Sequence, residues 1–199
     1  MIKSKQGQQM THELQHNSER EQATELIEKV GSAFHEQWRE EWHASDAKKE
    51  VPELTREKAT SDQAWIEAHG IDTVDIANTN YEDLPEDWKG ENKAAAEFVV
   101  GLRQELDEAG VNGSLDDPAV REYVGDEIHK AWLSRNEWAK DGDLGVAFSE
   151  LPLDEQEKDL DQYRTLQAVL KRDEILSRPS PSFGSSLQKE EYLDTFKLR

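Results

Sequence analysis

Two stretches of this 199-residue chain repeat one another in residue type and spacing, and no other feature limits its fold as tightly. Val30-Gly31-x-x-Phe34-His35-x-x-Trp38 is matched by Val124-Gly125-x-x-Ile128-His129-x-x-Trp132, with Leu26 and Val120 in the same register. Downstream, Tyr81-x-x-Leu84-Pro85 is matched by Phe148-x-x-Leu151-Pro152. Each corner leads into a helical stretch with a polar residue at the same place, Asn92 and Asp159. Shared order and spacing of this kind read as one supersecondary unit written twice. The offset falls from 94 residues (His35 to His129) to 67 (Tyr81 to Phe148), so the first copy holds 27 extra residues between its motifs. The expected architecture is mainly α with minor β: two pseudo-symmetric helix–short strand–helix units packed into one domain.

Periodicity places the elements. Leu26, Ile27, Val30, Phe34, Trp38 and Trp42 recur at three- and four-residue steps, the signature of one helix face. Ser18 and Glu21 form a capping-box start, so this helix is expected from 18 to about Ala44, behind a flexible lead-in over 1–17. Pro52 interrupts the charged run after it, which marks 45–70 as a solvent-facing insertion in a first unit spanning 18–110. Within that unit Asp62 and Gly70 bracket a short helix, and Ile71–Ile76 reads as a weak strand. Pro85 opens a helix striped by Trp88, Ala95, Val99, Leu102 and Leu106 up to Gly110.

The second unit spans 111–176. Asp117-Pro118 is a cap followed by a first-turn proline, with Val120, Val124, Ile128 and Trp132 stepping by fours behind it. Val146-Ala147-Phe148 suggests a second small strand, and Pro152 opens a last helix with Tyr163, Leu166, Val169 and Leu170 inward. The Pro/Ser-rich stretch 177–199 reads as an extended tail, with Tyr192, Phe196 and Leu198 as its anchoring side chains.

Charge constrains partners more than fold. Twenty-four Lys and Arg stand against 44 Asp and Glu, a formal net charge of −20, which repels phosphate backbones and anionic headgroups. Direct nucleic-acid binding and membrane binding are not expected, and the polar N-terminus together with the lack of a long apolar run reads as a soluble, cytoplasmic protein. The chain has no cysteine, which removes disulfides, thiolate metal sites and a cysteine nucleophile. Six Trp, five Phe and four Tyr supply a core, and the tryptophans on the helix stripes are expected to be part of it.

The order apolar-His-x-x-Trp, a loop, an aromatic-x-x-Leu corner and a helix with an early Asn or Asp resembles the RyR domain. That repeat occurs in pairs in ryanodine receptors and as stand-alone modules in bacterial and phage proteins. The match is fullest over Ile128 to Leu170, where His129, Trp132, Phe148, Leu151, Asp159 and Leu166 fall in family-like order. The family's Gly-Trp-x-Tyr-Gly stretch is replaced here by Lys140-Asp141-Gly142-Asp143-Leu144-Gly145. The resemblance implies a noncatalytic binding module taking a nucleotide-derived or other small anionic ligand in the groove between units. The positions it points to are His129, Trp132, Arg135 and Asp159, with His35, Trp38 and Asn92 as first-copy equivalents.

From the residues themselves, the two histidines read as partners for loop carbonyls, and Asn92 and Asp159 as partners for the other unit's corner. Arg39, Arg135 and Arg164 are the cations nearest the motifs. Converging, they would select an anion; spread outward, they are solvated helix residues. Catalytic signatures fail: His35-Glu36-Gln37-Trp38-Arg39 lacks the second histidine of a zincin helix, and no phosphate-binding glycine loop or serine elbow occurs. No cofactor and no metal ligands are implied. The competing expectation is a structural or interaction protein, a phage or assembly component docking a protein partner through its tail. Oligomeric state leaves no mark on the sequence.

Overall fold

The computed structural model describes residues 2–177. The chain divides into two compact units, Met1–Val169 and Leu170–Arg199; the described part of the second is the end of the last helix. Among the described residues the fold is mainly helical, with one two-stranded sheet. The elements are α1 (Ile2–Asp46), β1 (Glu57–Ala59), α2 (Gln63–His69), β2 (Thr73–Asp75), α3 (Glu86–Glu108), α4 (Pro118–Arg135) and α5 (Leu153–Ser177). Short 3-10 turns stand at Tyr81–Asp83, Glu137–Ala139 and Phe148–Glu150.

Local chemistry explains most boundaries. Asp62 caps α2 by accepting from the Ala64 and Trp65 amides, and Gly70 ends it at φ 73°, a left-handed position that favours glycine. Asp117 accepts from the Ala119 amide, with Pro118 in the first turn of α4. Pro85, at φ −56°, directs the chain into α3.

Three expectations are corrected. The first helix begins at Ile2 rather than Ser18, because 2–17 contain no proline and about half of them are Gln, Lys, Glu, Met and Leu, which favour a helix without needing an apolar stripe. The 45–70 insertion holds, besides the expected short helix α2, a strand that was not expected: Glu57, Lys58 and Ala59 pair antiparallel with Asp75, Val74 and Thr73. Val146–Phe148 is not a strand. Phe148 starts a 3-10 turn, because the following Leu-Pro fixes the corner. Of the tail at 177–199, Ser177 closes α5, and 178–199, with Tyr192, Phe196 and Leu198, lie outside the described residues.

The main core lies where α1, α3, α4 and α5 bring together Val30, Val99, Val124, Ile128, Leu160, Tyr163 and Leu166, all essentially without solvent exposure. A satellite cluster of Val74, Ile76, Tyr81 and Leu84 sits under the sheet, covered by Trp38, Trp65 and Trp88. No described helix is long and apolar enough to cross a membrane.

Candidate functional site

The repeated motifs are tied together in the same way in both copies. His35 Nε2 donates to the Thr79 carbonyl at 2.8 Å, two residues before Tyr81. His129 Nε2 reaches the Val146 carbonyl at 3.1 Å, two residues before Phe148, and the Leu144 carbonyl at the same distance. Each histidine lies nearly parallel to the tryptophan three residues on, with centroids 6.0 Å apart for His35 and Trp38 and 6.1 Å for His129 and Trp132. The glycine of each motif faces its corner's aromatic ring. A Cβ on Gly31 would meet Tyr81 Oη at 3.2 Å, and one on Gly125 would enter the Phe148 ring. The shared spacing thus records a helix that accepts an aromatic corner at glycine and ties down the chain before it with histidine.

The copies differ in what stands behind the histidine. Asp159 Oδ2 is 3.1 Å from His129 Nδ1 and both side chains are buried. Because His129 Nε2 faces two carbonyls it must carry a proton, and the Nδ1–Oδ2 contact needs a second. Burial pushes the Asp159 carboxyl up to about 6 against the pull of His129. In the first copy Asn92 donates instead to the Trp88 carbonyl of its own helix at 2.9 Å. Burial holds His35 below the ordinary histidine value, with the Thr79 carbonyl opposing. Neither polar residue bonds the other unit's corner as expected: one turns back on its helix and the other meets its own unit's histidine.

Beside these motifs opens a cleft of about 1080 Å³. It is lined by Phe34, His35, Trp38 and Trp42 of α1, Arg56 and Lys58 of the β1 segment, and Trp88, Glu91 and Asn92 of α3. Trp132 and Arg135 at the end of α4, and Lys158, Asp161 and Thr165 of α5, line it as well. Thr165 donates to Gln37 Oε1 at 2.5 Å, joining α5 to α1 along it. The tryptophans expected in the core are only partly in it, with Trp38, Trp65 and Trp88 packed on the satellite cluster. None of the six is fully buried, four line the cleft, and Trp138 is 76% exposed, edge-on to Trp132 at 6.0 Å.

Of the seven residues singled out from sequence, His35, Trp38, Asn92, Trp132 and Arg135 share this cleft, while His129 and Asp159 lie buried behind it. The three arginines do not converge. Arg39 is held by Glu36, Asn80 and the Ala77 carbonyl, and Arg164 pairs with Asp161 and Glu157. Arg135 is half-buried and makes no hydrogen bond or ion pair with any described residue. Burial lowers its affinity for the proton and Glu91 partly restores it. The other partly buried arginines, Arg39, Arg103, Arg121 and Arg164, each have a carboxylate partner.

Sequence reasoning missed Trp42 and Trp88 as cleft residues. The available signal was the change along one stripe from Leu26 and Val30 to Phe34, Trp38 and Trp42, too much aromatic width for a helix seam alone. Among the described residues no three His, Cys, Asp or Glu side chains stand close enough to hold a metal ion. No protein-family model matches this chain, and no curated protein or solved structure matches it either.

Proposed function

We propose that this chain is a ligand-binding module of the RyR-domain type, whose cleft takes a small molecule joining a planar ring to an anionic group, such as a nucleotide derivative. The observation that carries the reading is Arg135: a half-buried guanidinium with no hydrogen bond or ion pair among the described residues, lining the same aromatic cleft as Trp132. A guanidinium taken from water loses solvation that Glu91, making no hydrogen bond to it, repays only in part, and a bound carboxylate or phosphate restores the rest in a two-pronged contact. Aromatic side chains offer the faces on which a planar ring stacks. The two tied-down corners hold these faces in place, since His35 and His129 lie against Trp38 and Trp132.

The test is thermal unfolding of the full chain with and without adenosine monophosphate, because a ligand that binds only the folded form raises the midpoint by mass action. The rise should persist after deletion of 179–199 and disappear in folded Trp132→Ala and Arg135→Gln variants. No rise with any nucleoside monophosphate would overturn the reading. A rise lost on deleting the tail would favour docking through the tail.

A further inference from the structure

Asparagine is among the heat-labile side chains, and the connection between α3 and α4 exposes one beside a glycine, outside the lining of the cleft. We infer that Asn112 is a modification site, where the side chain closes onto the Gly113 amide, loses ammonia, and reopens with water to aspartate and isoaspartate. Gly113 has no side chain to screen its nitrogen. Asn78, Asn80, Asn92 and Asn136 precede Thr, Tyr, Lys and Glu instead. Each of those four is also held: Asn78 by the Leu54 carbonyl and Asp75, Asn80 by Arg39, Asn92 by the Trp88 carbonyl and Asn136 by the Trp132 carbonyl. The Asn112 carboxamide bonds no described residue and is free to turn, and the Gly113 N–H donates to none.

In the closing step the Gly113 N–H gives its proton to hydroxide and its nitrogen bonds Asn112 Cγ. The Cγ–Nδ2 bond breaks, the leaving nitrogen takes a proton from water, and ammonia departs from a five-membered succinimide. Water then opens the ring at either carbonyl. Cleavage at Cγ gives aspartate; cleavage at the main-chain carbonyl carbon gives isoaspartate, whose backbone runs through Cγ and is one carbon longer. The loop has little room for that carbon. The Gly113 carbonyl accepts from Gln167 Nε2 at 2.8 Å, and a Cβ on Gly113 would collide with Tyr163 Oη and Arg103 Nη1. Lengthening the chain just ahead of this grip releases the Gln167 bond or displaces Tyr163, which has no solvent exposure.

Incubation of the full folded chain at mildly alkaline pH, followed by peptide mass spectrometry, tests this. The Asn112 peptide should gain the mass of an amide-to-acid exchange at a rate within a few-fold of that in the urea-unfolded chain, with the isoaspartyl form in excess on chromatography. Peptides holding Asn78, Asn80, Asn92 and Asn136 should keep their amides over the same interval. The aged protein should unfold at a lower temperature than the fresh one, and Asn112→Gln should age without that fall. Fresh Asn112→Asp, with the charge but not the extra carbon, should match fresh wild type. An Asn112 amide that survives in the folded chain while the unfolded chain converts, or equal conversion at the other four asparagines, would overturn the assignment. Conversion with no fall in the midpoint would overturn the account of the loop.

Discussion

Placing a methyl group on each motif glycine asks whether the repeated spacing is set by the aromatic corners. A Cβ on Gly125 would lie 2.5 Å from Phe148 Cε1 and Cε2 and closer still to Cζ, in a ring only 3% exposed. Overpacking of a buried ring costs about 1–3 kcal/mol, and three ring atoms struck together put this case near the top. Alanine returns about 1 kcal/mol of helix propensity over glycine. Gly125→Ala should therefore destabilise by about 2 kcal/mol, lowering the unfolding midpoint by roughly 4–8 °C for a chain of this size. On Gly31 the same methyl meets Tyr81 Oη at 3.2 Å and the Asn92 backbone at 3.5 Å, a strain that a small movement of the phenol relieves. Gly31→Ala should be within about 0.5 kcal/mol of wild type, the propensity gain offsetting the strain. Urea unfolding followed by helical circular dichroism reads both, and Phe148→Leu should rescue part of the Gly125→Ala loss as a non-additive pair. A Gly125→Ala protein as stable as wild type, or strict additivity with Phe148→Leu, would refute the reasoning.

Other outcomes follow from the buried polar groups. Burial holds the Asp159 carboxyl above its ordinary value, so its contribution is fully present below the free carboxylate range and is lost as pH rises through the raised value. Asp159→Asn should flatten that part of a stability–pH profile, whereas Asp159→Ala should cost about 1–3 kcal/mol by leaving His129 Nδ1 unpaired. His35 has the opposite sign. Its value is held below 6.5, so the stability it gives at neutral pH fades as pH falls below that value, and His35→Gln, which keeps a donor for Thr79, should remove the slope. Asp87 takes bonds from Thr60 Oγ1 and from the Ser61 amide and hydroxyl, so Asp87→Ala should cost about 2 kcal/mol and speed hydrogen exchange across β1 and β2.

Much of the fold was legible because it is written in local chemistry. Asp62 and Gly70 delimit α2, Asp117-Pro118 opens α4, and the fourfold steps of Val120, Val124 and Ile128 give its buried face. What escaped was set by tertiary context. A three-residue strand such as Glu57–Ala59 has no period of its own and exists because Thr73–Asp75 lies beside it. Phe148 looks like a strand residue until its ring is needed over Gly125. The histidines' loop partners could be anticipated from their place beside the stripe, and the structure adds the register, two residues before each corner. Arg135 was one of three candidate arginines in the sequence. What separates them is that carboxylates pair directly with Arg39 and Arg164, whereas Glu91 acts on Arg135 without an ion pair.

The most direct test of the cleft as a ligand site is the set of indole N–H resonances of the ¹⁵N-labelled protein during titration with adenosine monophosphate. Four of the six tryptophans line the cleft, while the Trp65 indole nitrogen, outside its lining, is buried with no hydrogen-bond partner among the described residues. The account predicts saturable shifts of the Trp38 and Trp132 signals, absent in Arg135→Gln, with the Trp65 signal unmoved. Cleft indoles that stay fixed at millimolar nucleotide, or shifts that survive in Arg135→Gln, would contradict it.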